Sequence, residues 1–217
     1  MLFDWNFVVD QAPALIRAFG RTLQVGIVAI LASTAIGVIG AAILALRIPG
    51  LQRATDWYVD LFRNTPLLVQ IFFLYFALPE LGIKLSGFAV AWLSLALWGG
   101  AYAIENFRAG FEAVRGGYKE AALALGLTPT QAFFTIELPI GLRIALPSTS
   151  NTLIAVLKST SFMVAIGFEE LTDVSVGIVA QTLRVFEMFF VLGVVYLCLV
   201  ALFSAGMQLV ERRLRFP

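Results

Sequence analysis

Between Glu112 and Pro139 the chain reads EAVRGGYKEAALALGLTPTQAFFTIELP, which has the marks of two short helices meeting at a fixed corner. Glu112 to Leu125 sets Val114, Tyr118, Ala121, Ala122 and Leu125 on one apolar face at helical spacing. Gly126 follows where a helix end favours a left-handed residue, a conformation glycine adopts without a Cβ clash. Thr128-Pro129-Thr130-Gln131 then has the form of a capping box, with Thr128 as N-cap and Pro129 at the first helical position. A second helix is expected over Pro129 to Glu137, with Phe133, Phe134 and Ile136 apolar, and Leu138-Pro139 is expected to stop it. Such a corner either docks a partner or braces the bundle to which it belongs, and spacing alone admits both.

Outward from this corner the chain is strongly apolar. Of its 217 residues 60% are hydrophobic and 13% charged, and the mean hydropathy is +0.90. An average soluble domain carries about 25% charged residues. A soluble fold of this size could not cover so much apolar surface, so the fold class is an all-α polytopic membrane protein. About 20 apolar residues cross a membrane as a helix, and five segments qualify, at about 22–46, 57–79, 88–107, 147–168 and 188–210. The first and last are free of charge; the middle three carry Asp60 and Arg63, Glu105, and Lys158. Residues 1–21 hold Asp4, Asp10 and Arg17 around Pro13 and are expected as an amphipathic lead-in at the membrane surface, not a cleaved signal. Ala29, Ser33, Gly37, Ala41 and Ala45 recur every fourth residue, a small-residue face suited to close helix packing.

Placing the cations orients the bundle. With the C-terminus cytoplasmic, the inner segments hold Arg47, Arg53, Arg63, Arg108, Arg115, Lys119, Arg143, Arg212, Arg213 and Arg215, and the outer ones only Arg17, Arg21, Lys84 and Arg184. Basic residues favour the cytoplasmic side, so the N-terminus is expected outside, with the Glu112–Pro139 corner and the 211–217 tail inside.

The missing residue types exclude much. There is no His, which removes His triads, relays and metal sites. The single Cys198 is expected as a small buried hydrophobe. No G-x-x-x-x-G-K-[ST] run is present, so ATP is not expected to bind this chain through a phosphate loop, and no metal or cofactor is expected on it. A net charge of +1 gives no field that would draw a polyanion.

A mid-membrane charge is expensive and faces protein or water. Lys158, with Ser159, Thr160 and Ser161, is therefore either part of a translocation path that meets a substrate carboxylate, or a cation paired with Glu105 or a backbone carbonyl. Glu105 meets an amino group or pairs with Arg108 three residues on. Trp98 stands in the same span, and Tyr102 one turn before Glu105 reads as packing.

Glu120-Ala121-Ala122, Gly126 and Ile136-x-Leu138-Pro139 match at every position the E-A-A-x-x-x-G-(nine residues)-I-x-L-P signature of membrane subunits of bacterial ABC importers. Phe62-Arg63-Asn64-Thr65-Pro66-Leu67-Leu68-Val69-Gln70 resembles the F-R-G-T-P-L-L-V-Q segment of the polar amino-acid permeases within that group. Ala101-Tyr102-x-x-Glu105-x-x-Arg108-x-Gly110, Leu157-Lys158-x-Thr160-Ser161 and the ending Glu211-Arg212-Arg213-Leu214 extend the resemblance over nearly the whole chain. Asn64 stands where Gly is usual, Ser159 replaces a common Asp, and Trp98-Gly99-Gly100 replaces a common Asn-Ser-Ala. The last two departures bear on the substrate more than on the fold.

The resemblance implies a type I importer permease of about five helices in the bacterial inner membrane. It implies pairing with a second permease, identical or a sister, docking on two copies of a separate ATPase that holds ATP and Mg, and delivery of an amino acid by an external solute-binding protein. Glu120, Ala121, Ala122, Gly126, Leu138 and Pro139 would form the ATPase-coupling element. Glu105, Lys158, Ser159, Thr160, Ser161 and Trp98 are the expected path residues. An ion-coupled carrier using Glu105 and Lys158 without an ATPase is the alternative.

Overall fold

Asp4 opens the first helix by accepting a hydrogen bond from the Phe7 amide at 3.1 Å, and Arg47 closes it in the left-handed conformation at φ 51°. The computed structural model describes residues 3–114 and 117–214. This helix, α1 (Trp5–Leu46), runs 42 residues without a break through Pro13. At 1.5 Å per residue it is about 63 Å long, twice the roughly 30 Å of a hydrocarbon core. The lead-in and the first span are thus one rod.

The expected 57–79 span is a broken pair. α2 (Leu51–Asn64) and α3 (Leu67–Glu80) meet at 106°. Pro66 has no amide hydrogen and forces Thr65 into extended backbone, with φ −111° and ψ 140°. The carbonyls freed by the break are met from within: the Gln70 side-chain amide donates to Phe62 O at 3.0 Å and to Thr65 O at 3.1 Å. A π turn at Phe73–Ala77 follows inside α3.

The remaining elements are α4 (Gly87–Val114), α5 (Tyr118–Ala124), α6 (Pro129–Ile166), α7 (Leu171–Thr182) and α8 (Val185–Leu214). Among the described residues every regular element is helical. Four helices are long and apolar enough to cross a membrane, five if the bent pair is one span, in keeping with the five expected.

α4 is the centre of the bundle, packed along α1 on one side and α6 on the other. The small-residue ladder makes the first contact possible. A Cβ on Gly37 would stand 2.5 Å from the Ala103 Cβ, and Ala29, Ser33 and Ala41 are fully buried. Two apolar clusters fill the space, one around Val25, Ile71, Leu95 and Met163, the other around Ala41, Phe107, Phe111 and Phe133. α8 packs loosely, and Cys198 lies exposed on its open face instead of buried as expected, because little of this chain covers that side.

Two expected boundaries move. The helix read over Glu112 to Leu125 is divided: α4 ends at Val114 and α5 begins at Tyr118, with residues 115 and 116 outside the described set. Arg215 and the end of the tail also lie outside it. Leu138-Pro139 does not stop the second helix. A π turn at Phe133–Glu137 shifts the hydrogen-bond register ahead of the proline, and Pro139 sits in the first turn of the segment that follows, where its missing amide costs nothing. α6 therefore runs from the corner into the membrane as one piece.

Candidate functional site

The corner is closed by local chemistry. Gly126 holds φ 85°; its amide donates to Leu123 O at 3.0 Å, and the Leu127 amide reaches back to Ala122 O at 3.1 Å. That pair of bonds is a Schellman cap. Across the corner the Thr128 amide donates to Gln131 Oε1 at 2.9 Å and the Gln131 amide to Thr128 Oγ1 at 3.3 Å, completing the capping box. Thr128→Ala should cost about 1 kcal/mol of local stability, seen as amide exchange from Gln131 to Phe134 roughly fivefold faster.

One side of the corner is anchored and the other open. Ala122, Ala132 and Phe133 are buried, and the Phe133 ring meets Phe111 of α4 edge-on at 5.4 Å. Tyr118, Leu123, Leu125 and Phe134 are exposed, Leu125 to 83%. Glu120 and Ala121 are exposed on the same short helix, Pro139 is exposed and Leu138 half-buried. Of the six expected coupling residues Glu120, Ala121 and Ala122 lie on α5, Gly126 at the corner and Leu138 and Pro139 on α6, and Ala122 alone is fully buried.

From the corner a line of side chains climbs α4. Arg108 donates to Glu112 at 3.2 Å and to Glu105 at 2.6 Å. Arg63 of α2 reaches the same Glu105 at 3.6 Å and lies over the Tyr102 ring at 5.2 Å. Tyr102 in turn packs on Trp98 at 4.8 Å. Positions 98, 102, 105, 108 and 112 share one helix face, and Glu105, Arg108 and Glu112 border, with Arg47, Asp56, Asp60 and Arg63, a cleft of about 460 Å³. The Glu105–Arg108 pair is the one the spacing suggests. Arg63 was missed as its partner, and Tyr102 is a platform for a cation as well as packing. The i, i+3/i+4 rhythm of that face was the available signal.

Lys158 is elsewhere. It ends the α-helical part of α6 about level with Leu97, given that Gly99 packs on Val156. Glu105 lies some two turns farther along α4, near the Asn106–Thr152 hydrogen bond, so the Lys158–Glu105 pair does not form. The hydroxyls also part company. Ser161 donates to Lys158 O at 2.9 Å and shares a groove of about 410 Å³ with Lys158, Gly193, Tyr196 and Leu197. Thr160 is fully buried and donates to Leu157 O at 2.8 Å; Ser159, half-buried, opens the 3₁₀ turn. Lys158 itself is exposed on the chain, and among the described residues no carboxylate pairs with it.

The bundle thus combines a bent second span, a central α4 between two long helices and a capped corner. The family described as "Binding-protein-dependent transport system inner membrane component" matches residues 33–216, and the chain belongs to it. It is a multi-pass protein of the inner membrane. The chain is 35% identical to the probable amino-acid permease protein YxeN of Bacillus subtilis (strain 168) over 99% of its own length and 97% of that protein's. It is 30% identical to the glutamine transport system permease protein GlnP of Escherichia coli (strain K12), with 99% of each covered. A solved structure of an amino acid ABC transporter with histidines superposes with a TM-score of 0.89 at 30% identity, over 98% of this chain and 100% of that one. The inward-facing MetNI methionine ABC transporter shares the fold, with a TM-score of 0.81 at 21% identity over 95% and 99% of the two chains.

Proposed function

We propose that this chain is the permease subunit of an ATP-binding-cassette importer that moves a polar amino acid into the cytoplasm. The observation that carries the reading is the corner. It is rigidly capped, anchored on α4 through Phe133, and presents Tyr118, Leu123, Leu125 and Phe134 uncovered. Exposed apolar side chains gathered on a stiff element mark a docking surface. A stiff corner passes on rigid-body motion that a slack loop would absorb. The occupant proposed is a separate ATPase subunit, two copies per complex, carrying the ATP and Mg that this chain has no phosphate loop to bind. A second permease, identical or a sister, completes the core, and an external binding protein supplies the amino acid. The N-terminus lies outside and the corner and C-terminus inside, as the cations favour.

Within the membrane, Lys158 cannot face lipid cheaply. Its open groove beside Tyr196 and Ser161 is therefore assigned to the path or to the facing permease. Glu105 is held by two guanidinium groups, those of Arg63 and Arg108, and with them borders the inner cleft. Lys158→Met should leave assembly intact and lower uptake at least about tenfold, a change worth about 1.4 kcal/mol in the barrier. Unchanged uptake would remove Lys158 from the path.

The test of the whole reading is reconstitution. The chain should co-purify with an ATPase subunit and take up amino acid in proteoliposomes only with binding protein outside and ATP inside. Uptake by this chain alone, driven by an ion gradient, would overturn it.

A further inference from the structure

Glu170 is fully buried where α1, the 3₁₀ end of α6, α7 and α8 converge. Its Oε1 accepts the Asp173 amide at 2.9 Å and so caps α7. Its Oε2 accepts from the Tyr196 hydroxyl at 3.2 Å and the Thr22 hydroxyl at 3.3 Å. Thr22 Oγ1 also accepts the Leu171 amide at 3.0 Å and lies 3.2 Å from Ala18 O. The Tyr196 hydroxyl is 3.3 Å from both Thr160 and Thr172. One carboxylate thereby ties four helices together.

Among the described residues no cation pairs with it. α1 offers Thr22, and the neighbouring cation Arg21 is spent on Glu169 at the surface. α6 offers Thr160; its Lys158 lines the open groove with Ser161 and Tyr196. α7 offers Thr172 and a second acid, Asp173, and α8 offers Tyr196. Burial pushes the Glu170 carboxyl above the usual carboxylate range, against the opposing pull of the Thr172 and Asp173 amides and the Tyr196 hydroxyl. Asp173 is pushed the same way by burial and by Glu169.

The network accommodates either protonation state. Ionised, Glu170 takes protons from Tyr196 and Thr22. Neutral, it donates from Oε2 to Thr22, which turns its own proton to Ala18 O, or to Tyr196, which turns to Thr160 or Thr172. No hydroxyl is stranded. The network also grips an unusual element. The 3₁₀ turn Ser159–Ile166 is eight residues long, whereas such runs rarely exceed three or four residues, and a 3₁₀ stretch within a helix often marks a hinge or a strained segment. Thr160 lies at its start and Glu170 just beyond its end.

We propose that Glu170 is a protonation-dependent latch on this hinge: neutral, it holds α1, α7 and α8 against the end of α6, and ionised and hydrated, it lets them part. The proposal rests on the permease reading only in that the parting belongs to a transport cycle. The sign follows from linkage. The buried state binds the proton more tightly, so acid favours the latched state. That bias is complete below the ordinary glutamate value of about 4.3 and is lost as pH rises through the raised value of the buried group.

Infrared difference spectra of the purified complex in nanodiscs, wild type against Glu170→Gln, read the proton directly and require no transport. A carboxylic C=O band that persists above pH ~4.3 and then titrates away is expected. A carboxyl ionised throughout that range overturns the latch while leaving the permease reading untouched. ATP-driven uptake against external pH should then lose, in Glu170→Gln, the limb that titrates with the band; an unchanged limb overturns the proposal. Should Glu170→Gln fail to assemble, Tyr196→Phe removes one donor to the anion and should move both the band and the limb to higher pH. An unmoved midpoint counts against it equally.

Discussion

A chain carrying both Gly126→Val and Glu120→Ala should assemble with its ATPase and still allow ATP hydrolysis, while uptake falls by at least tenfold, about 1.4 kcal/mol or more of lost coupling. Gly126 stands at φ 85°, where an L-residue is strained by about 1–2 kcal/mol and a β-branched one is a true outlier. Valine there must rotate back toward negative φ. The Schellman bonds of Gly126 and Leu127 to Leu123 O and Ala122 O then open, and the angle between α5 and α6 is no longer fixed. Glu120 contributes an exposed charge on the docking side of the same helix. The bundle is spared because nothing lies within 4 Å of the space a Gly126 Cβ would fill. Parallel measurement of ATPase rate and uptake in proteoliposomes separates uncoupling from misfolding. Full ATP-driven uptake by the double variant would sink the coupling assignment.

The second large effect is expected where α4 crosses α6. A Cβ on Gly110 would stand 2.5 Å from Gly141 O and 2.8 Å from the Ala145 Cβ. A Cβ on Gly141 would meet the Phe111 backbone, with Cα and N both at 3.0 Å. Backbone cannot step aside as a rotamer can, so either substitution forces the helices apart and opens the cluster of Phe107, Phe111, Phe133 and Ala145. Overpacking of this kind costs about 1–3 kcal/mol. Gly110→Val or Gly141→Val should lower the melting midpoint of the purified complex by roughly 5 °C or more. Gly177→Ala, with nothing within 4 Å of its Cβ position, is the matched control and should not lower it. Equal midpoints for Gly141→Val and Gly177→Ala would show that the crossing tolerates separation.

These glycines also mark the limit of what the chain discloses by itself. The corner was legible because each device in it acts within six residues: a glycine at a helix end, a threonine three before a glutamine, a proline at the first helical position. Pro139 misled for the same reason. Local rules treat proline as a stop, and the π turn that absorbs it is a change of register that propensity does not record. The bend at Pro66 could be suspected, but its brace by Gln70 needs the fold. Arg63 meets Glu105 across 42 positions of sequence, and the Lys158–Glu105 pair failed because the two sit at different depths on antiparallel helices. Glu170 carries no such short-range mark. Its burial depends on Thr22 and Tyr196 arriving from the two ends of the chain.

The length of α1 has a mechanical consequence. A continuous 42-residue helix acts as a lever when it tilts about a close contact such as that of Gly37 with Ala103. From that fulcrum to Trp5 is about 48 Å of rod at 1.5 Å per residue. A tilt of only about 5° there sweeps the N-terminal end through about 4 Å. That end is tethered by Asp4 to Arg184 and, part-way along, by Arg21 to Glu169. A displacement at the membrane surface too small to disturb side-chain packing at the fulcrum is thus large enough at the tip to make or break an ion pair.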